Sequence, residues 1–257
     1  MSLKTRFDSL RKNKKKVLIP FLVAGDPSLK ATERLVLAFE KAGADLIEIG
    51  VPFSDPMADG PVIQAASERA LKGGTTLKKV LGLVRRIRVR SEVPLLLMGY
   101  YNPIHAYGLK RYAQEAKKSG LSATIVVDLP PEESGALDRE LKRVGIDLIR
   151  LLTPTSDRRR IQKVVQRSGG FIYFVSVTGI TGSSVKGEET IGKKVAEIRR
   201  STKLPIVIGF GISTPTQAGR LARMADGVVI GSALVKAASH YGVASLQKRV
   251  EEFRRVV

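Results

Sequence analysis

Glu48, Asp55 and Asp59 fall in one stretch, E-I-G-V-P-F-S-D-P-M-A-D-G-P from Glu48 to Pro61, and acid–base work is the chemistry these residue types could do. Glu48 lies near the end of an apolar run, Asp45-Leu46-Ile47-Glu48-Ile49, that reads as a short strand. Prolines, glycines and small residues then carry no periodicity until a helical pattern resumes at Pro61, so the chain leaves the strand into a long loop. A carboxylate among apolar strand residues is costly to ionise; it has to be paired, neutral or poised to move a proton. Two readings follow. Glu48 is a general acid or base, or it faces a salt-bridge partner while Asp55 and Asp59 cap turns or the helix entered at Pro61.

A second set is glycine-rich: Gly179-Ile180-Thr181-Gly182, Gly209-Phe210-Gly211 and Gly231-Ser232, each after a strand-like run. Glycine lets backbone N–H groups approach an anion, and Ser232 at a helix start adds a hydroxyl and the positive end of a dipole. Together they describe a phosphate cradle; singly, Gly231-Ser232 reads equally as an N-cap and Gly209 as a tight turn. Asp128, in Asp128-Leu129-Pro130-Pro131, is either catalytic or a tie between loops. Phe21, Tyr100, Tyr173 and Phe210 either line a site or pack a core. His105 and His240 have no partners at metal-binding spacing, and no metal site is expected. No lysine falls at a strand end to form a Schiff base, and no G-x-S-x-G supplies a nucleophile.

The elements that must position these residues repeat. Apolar runs of Val, Ile and Leu with little alternation recur at Val17–Val23, Asp45–Ile49, Pro94–Met98, Ala123–Val127, Asp147–Leu152, Phe171–Val175, Pro205–Ile208 and Gly227–Ile230, as parallel strands covered on both faces do. Between them, Ser28 caps a helix to about Lys41 with Gly43 just beyond. Pro131 and Glu132 open a helix that Gly145 closes, and Ser156 and Gly169 bracket another. Leu77, Val80, Leu81, Val84 and Ile87 form the stripe of an extra helix. Strand and helix alternate without a linker, which predicts an α/β fold: one (β/α)₈ TIM barrel with extra helices, a single domain over 1–257. An open doubly wound sheet is the alternative, but no G-x-G-x-x-G follows the first strand. In a barrel, the site belongs at the carboxyl ends of the strands.

The chain has 257 residues, 44 Lys+Arg against 24 Asp+Glu, a net charge of +20 and no Cys. Zero Cys excludes disulfides and cysteine-ligated metal and fits a reducing compartment without proving one; the expected location is cytoplasmic. Lys12–Lys16 before Val17–Gly25 has the outline of a signal peptide, yet Pro20 interrupts the apolar run and no small-x-small cleavage site follows; a buried strand explains the same residues. Nothing is apolar enough to cross a membrane. The basic residues, Arg85-Arg86, Lys117-Lys118, Arg158-Arg159-Arg160, Lys193-Lys194, Arg199-Arg200 and Arg254-Arg255, sit on apparent helices without interleaved aromatics. They read as solvated outer faces, and no specific nucleic-acid partner is expected.

Taken together these motifs resemble the alpha subunit of tryptophan synthase over essentially the whole chain: Pro20-Phe21-Leu22-Val23-Ala24-Gly25-Asp26-Pro27, Glu48–Pro61, Tyr100-Tyr101-Asn102-Pro103, Asp128-Leu129-Pro130, Thr178-Gly179-Ile180-Thr181-Gly182, Gly209-Phe210-Gly211-Ile212 and Gly231-Ser232. The resemblance implies a lyase of tryptophan biosynthesis that cleaves indole-3-glycerol phosphate reversibly to indole and glyceraldehyde 3-phosphate. It implies an alpha2-beta2 heterotetramer with a beta subunit that takes the indole and carries the pyridoxal phosphate, with no cofactor in this chain. Motif by motif, the catalytic carboxyls fall on Glu48 and Asp59, and phosphate binding on Gly182, Gly211, Gly231 and Ser232. The indole pocket falls on Phe21, Tyr100, Leu152, Tyr173, Thr181 and Phe210. Val177-Thr178 precede Gly179 where an enterobacterial form carries an arginine. The rivals are a phosphate-binding barrel without chemistry and another phosphosugar barrel enzyme; the related ring-closing synthase would need strand-end lysines this chain lacks.

Overall fold

The computed structural model describes residues 2–176 and 185–257, the side chains of 185 and 186 excepted. Eight parallel strands close in sequence order into a barrel: β1 Val17–Val23, β2 Ile47–Gly50, β3 Leu95–Gly99, β4 Ala123–Val126, β5 Asp147–Leu152, β6 Ile172–Val175, β7 Ile206–Gly209 and β8 Gly227–Ile230. All the predicted strands are present, with ends within two residues of those read from the sequence. The stagger that closure requires is visible in β1. Val17–Pro20 pair with β8 and Phe21–Val23 with β2, so Pro20, which has no N–H to give, lies where β1 changes partner.

Helices cover the outside: α1 Leu3–Lys12, α2 Leu29–Lys41, α3 Pro61–Lys72, α4 Leu77–Arg88, α5 Tyr101–Tyr107, α6 Leu109–Ser119, α7 Gly135–Arg143, α8 Arg158–Arg167, α9 Val185–Ser201, α10 Pro215–Met224, α11 Ser232–Ala238 and α12 Val243–Arg254. Ser28 caps α2 by accepting from Ala31 N, and Gly43 follows it at φ +91°. Two starts differ from the sequence reading. Residues after Pro131 make a turn, and α7 begins only at Gly135; α8 is capped by Asp157, because Ser156 spends its hydroxyl on Thr153 N. The stripe Leu77, Val80, Leu81, Val84, Ile87 is buried on α4 as predicted.

Side chains alternate along each strand between two cores. One set fills the barrel: Ile19, Phe21, Leu46, Leu96, Ile125, Ile149, Tyr173, Val207 and Val229. The other lies between strands and helices, with Leu18, Ile49, Leu97, Leu148, Phe174 and Ile208. The basic segment before β1 belongs to the first set. It folds as α1, whose Leu3, Phe7 and Leu10 are buried against the barrel's lower end, and the rings of Phe7, Phe171, Tyr173 and Phe210 follow one another upward at 5.7, 6.3 and 6.1 Å between centroids. Arg150, an outward residue of β5 that is 4% exposed, donates through its two terminal nitrogens to Ser134 Oγ, Asp138 and the Arg167 carbonyl, while its Nε has no partner among the described residues. Most of the basic clusters face solvent, several in surface pairs such as Arg85–Glu115 and Arg160–Glu132, whereas Arg254 turns in to the buried Asp45; the surface pairs add little stability. Among the described residues no helix is long and apolar enough to cross a membrane.

Candidate active site

Glu48 is the second residue of β2 and points into the barrel, paired in register with Phe21 on β1 and Leu96 on β3. It is fully buried, and neither carboxyl oxygen has a hydrogen-bond partner among the described residues. Burial first, and the nearby charge of Asp59 second, push its pKa up to about 8. The salt-bridge alternative is therefore set aside: an isolated carboxyl in this position holds its proton at neutral pH and can give it away.

Asp59 comes from the loop that follows β2. Its Oδ2 accepts from the Tyr100 hydroxyl at 3.1 Å, and the same hydroxyl accepts from Ala58 N at 3.0 Å. Gln64 on α3 holds the Asp59 carbonyl at 2.8 Å. Burial raises the Asp59 pKa, and the Tyr100 hydrogen bond works the other way. Asp55, by contrast, is exposed, and its carboxylate accepts from the neighbouring Ser54 hydroxyl. A cleft above the barrel is lined by Phe21, Gly50, Asp59, Met98, Tyr100 and Val127. Gly50 makes room for it, since a Cβ there would stand 2.7 Å from the Phe21 ring.

Tyr173 is fully buried on β6 beside Glu48; burial first, and the Glu48 carboxylate once it ionises, raise its pKa well above that of an ordinary phenol, and its ring meets Phe210 edge-on. Leu152 does not join this group. It pairs with Phe174 and lies in the outer core, whereas Leu151 pairs with Tyr173 and packs inside. A side-chain period of two makes a single residue decide the face, so the residue of β5 that faces the barrel interior at this level is Leu151.

On the far side of the mouth, Phe210 and Gly211 both have left-handed backbone, φ +72° and +76°, and Gly211 is exposed. Ser176 ties this turn to the end of β6, its hydroxyl donating to the Phe210 carbonyl at 2.8 Å. Gly231 approaches Phe21, to within 3.7 Å of a Cβ built on it, and Ser232 opens α11 with its side chain in solvent. Gly231 and Ser232 thus follow β8 beside Phe21, and Gly211 lies in the turn after the neighbouring β7. Thr181 and Gly182, with Val177-Thr178 and the rest of their motif, lie outside the described residues.

Asp128 is the tie between loops, not part of the cleft: its Oδ1 accepts from Tyr101 N, the first residue of α5, at 2.8 Å. Sequence reasoning missed two supports. Phe53 stacks on Tyr100 at 5.0 Å, and Asp26, 6% exposed at the end of the first strand's loop, holds Arg69 of α3 through two 2.8 Å bonds. A polar residue in Gly25-Asp26-Pro27 was visible; its partner, distant in sequence, was not. Among the described residues no group of three or more His, Cys, Asp or Glu is placed to hold a metal ion.

A closed barrel with a lone proton-bearing carboxyl at a strand end, and glycine-rich turns across the mouth, defines a (β/α)₈ barrel enzyme of the kind that works from the loops after its strands. The model of one family, tryptophan synthase alpha chain, matches residues 7–256. The chain is 53% identical over 249 residues to the tryptophan synthase alpha chain of Geotalea uraniireducens (strain Rf4), covering 97% of this chain and 93% of that protein. It is 54% identical over 248 residues to that of Citrifermentans bemidjiense, covering 96% and 93%. Among solved structures, tryptophan synthase subunit alpha from Legionella pneumophila str. Paris matches with a TM-score of 0.92 at 37% identity, over 100% of this chain and 98% of that one. The chain belongs to the tryptophan synthase alpha chain family.

Proposed function

We propose that this chain, one barrel domain over 1–257, is the lyase that splits indole-3-glycerol phosphate into indole and glyceraldehyde 3-phosphate, with Glu48 and Asp59 as its catalytic residues. The observation that carries the reading is the Glu48 carboxyl: buried, without a hydrogen-bond partner among the described residues, its pKa pushed up to about 8, and near enough to Asp59 to be raised by its charge. The reaction needs a proton on indole C3, so that the ring can leave, and needs a proton taken from the side-chain hydroxyl as the aldehyde forms. Glu48 gives its proton to C3. The resulting carboxylate then accepts the hydroxyl proton while the C–C bond breaks and its electrons restore the indole double bond, which returns Glu48 to its starting state. Asp59 accepts the indole N–H and offsets the positive charge that the ring carries between the two transfers.

Phe21, Tyr100, Tyr173 and Phe210 give the indole an aromatic slot, and the backbone at Gly211, Gly231 and Ser232, with Gly182 from the undescribed segment, receives the phosphate. The partner is a beta subunit in an alpha2-beta2 heterotetramer in the cytoplasm, which takes the indole and alone carries pyridoxal phosphate. The exposed loop tip, with Met57 at 90% exposure, offers a docking point beside Asp59. The test is indole release from indole-3-glycerol phosphate by the chain alone and with a saturating beta subunit. Release that rises on adding the partner supports the whole reading; no release in either case overturns it.

The phosphate assignment has its own test. Gly211→Asp puts a carboxylate where the phosphate dianion sits, on a backbone whose left-handed φ costs an aspartate about 1 kcal/mol. Indole glycerol phosphate is expected to bind at least tenfold more weakly, with indole itself little changed. Equal loss of both ligands in a binding titration would show that the turn is only structural.

A further inference from the structure

We infer that Tyr100 is a positioning residue for this reaction: its hydroxyl, held by the Ala58 N–H, turns its one hydrogen onto Asp59 and so keeps that carboxylate ionised and aimed into the cleft. The inference rests on the reading of Asp59 given above and deepens it. The polarity follows from valence. A backbone N–H can only donate, so at 3.0 Å from Ala58 N the phenol oxygen is the acceptor. Its single proton is then left for Asp59 Oδ2 at 3.1 Å. The phenol cannot give that proton up, because burial first and the charge of Asp59 next hold its pKa well above the ordinary range, with Asp128 adding to the effect.

The geometry also fixes the loop. Tyr100 follows β3 directly, is 5% exposed, and stacks its ring on Phe53 at 5.0 Å and 29°. Phe53 lies near the start of the loop and Ala58-Asp59 at its end, so one side chain from a rigid strand end grips both. Asp59 Oδ1 carries no hydrogen bond from a described residue and is left for the substrate. The other groups that face Asp59 are the Glu48 carboxyl from β2 and Gln64 from α3, which holds only its carbonyl. Burial opposes the ionised form of Asp59, and the Tyr100 hydrogen bond is the influence that favours it. The phenol does for a loop carboxylate what a fixed strand does for Glu48.

Tyr100→Phe removes the hydrogen bond and keeps the ring and its stack. Two readouts are expected. In the free protein, the Asp59 carboxyl followed by ¹³C NMR titrates about one unit higher than in the wild type, as loss of one charge-assisted hydrogen bond implies. In the cleavage assay, kcat/KM falls about tenfold or more near neutral pH, and its acid limb moves up by the same interval. Asp59→Asn is the control in which the carboxyl signal and that limb both vanish. An unmoved Asp59 titration in Tyr100→Phe would overturn the inference, as would an unchanged pH profile with lower activity, which is what a packing role predicts. The NMR readout needs no turnover, so a failure of the assigned reaction would leave this outcome separately legible.

Discussion

Glu48→Gln is expected to lower indole release by about 10²- to 10⁴-fold while indole-3-glycerol phosphate still binds, because the amide keeps the shape of the acid and carries no transferable proton. Single-turnover cleavage and equilibrium binding measured on the same variant separate the two effects. Near-normal cleavage would remove Glu48 from the mechanism. Since the wild type needs the protonated form, its kcat/KM should fall above about pH 8, where Glu48 ionises. The same substitution should change stability with a defined sign. The folded pKa of about 8 exceeds the ordinary value of 4.5, so the native state holds a proton the unfolded chain releases. The contribution of this group is fully present below pH 4.5 and is lost as pH rises from there through 8. Between pH 4.5 and 7 that loss is on the order of 3 kcal/mol, at 1.36 kcal/mol per unit. The amide that replaces Glu48 in the variant does not titrate, so the stability of Glu48→Gln relative to wild type should rise by about this amount over the same interval. Parallel urea titrations at the two pH values read it directly, and a pH-independent difference would show that Glu48 is ionised in the folded protein.

Asp45→Ala is expected to cost about 3 kcal/mol and to loosen both ends of the chain. Asp45 is 3% exposed below β2 and accepts from Arg6 on α1 at 2.8 Å, from Arg254 on α12 at 2.6 Å, and from Leu18 N on β1 at 2.9 Å. Removing it strands the Leu18 N–H and leaves two guanidinium groups facing each other. The arginine side chains are 31% and 21% exposed, so they can turn partly to water, and the loss stays near the lower end for a broken buried pair. Arg6→Leu or Arg254→Leu should each cost about 1 kcal/mol, because the other arginine still satisfies the carboxylate. A urea midpoint unchanged in Asp45→Ala would show that the cluster is incidental to folding.

The order of elements was legible from the amino acids alone, and so was the stretch that carries the carboxyls proposed as catalytic. Runs such as Leu95–Gly99 are apolar on both faces because parallel barrel strands are covered on both faces, and that pattern survives in one dimension. The stretch from Glu48 to Pro61 was legible because a carboxylate inside an apolar strand has few stable explanations, and the turn at Phe210-Gly211 because left-handed backbone leaves a glycine signature. Whatever depends on a partner far along the chain came only with the folded arrangement. The sequence reading assigned no element to residues 3–12, since the apolar stripe of Leu3, Phe7 and Leu10 among Lys4, Arg6, Arg11 and Lys12 acquires meaning only under the barrel. Leu151 and Leu152 are the same residue type, and only register with Tyr173 and Phe174 says which one faces inward. Whether Asp128 reaches the cleft or a helix end, and whether Glu48 has a counter-ion, are settled by distances of a few ångströms between elements that composition and periodicity do not encode, because both describe a residue's own strand or helix and not its neighbour across the barrel.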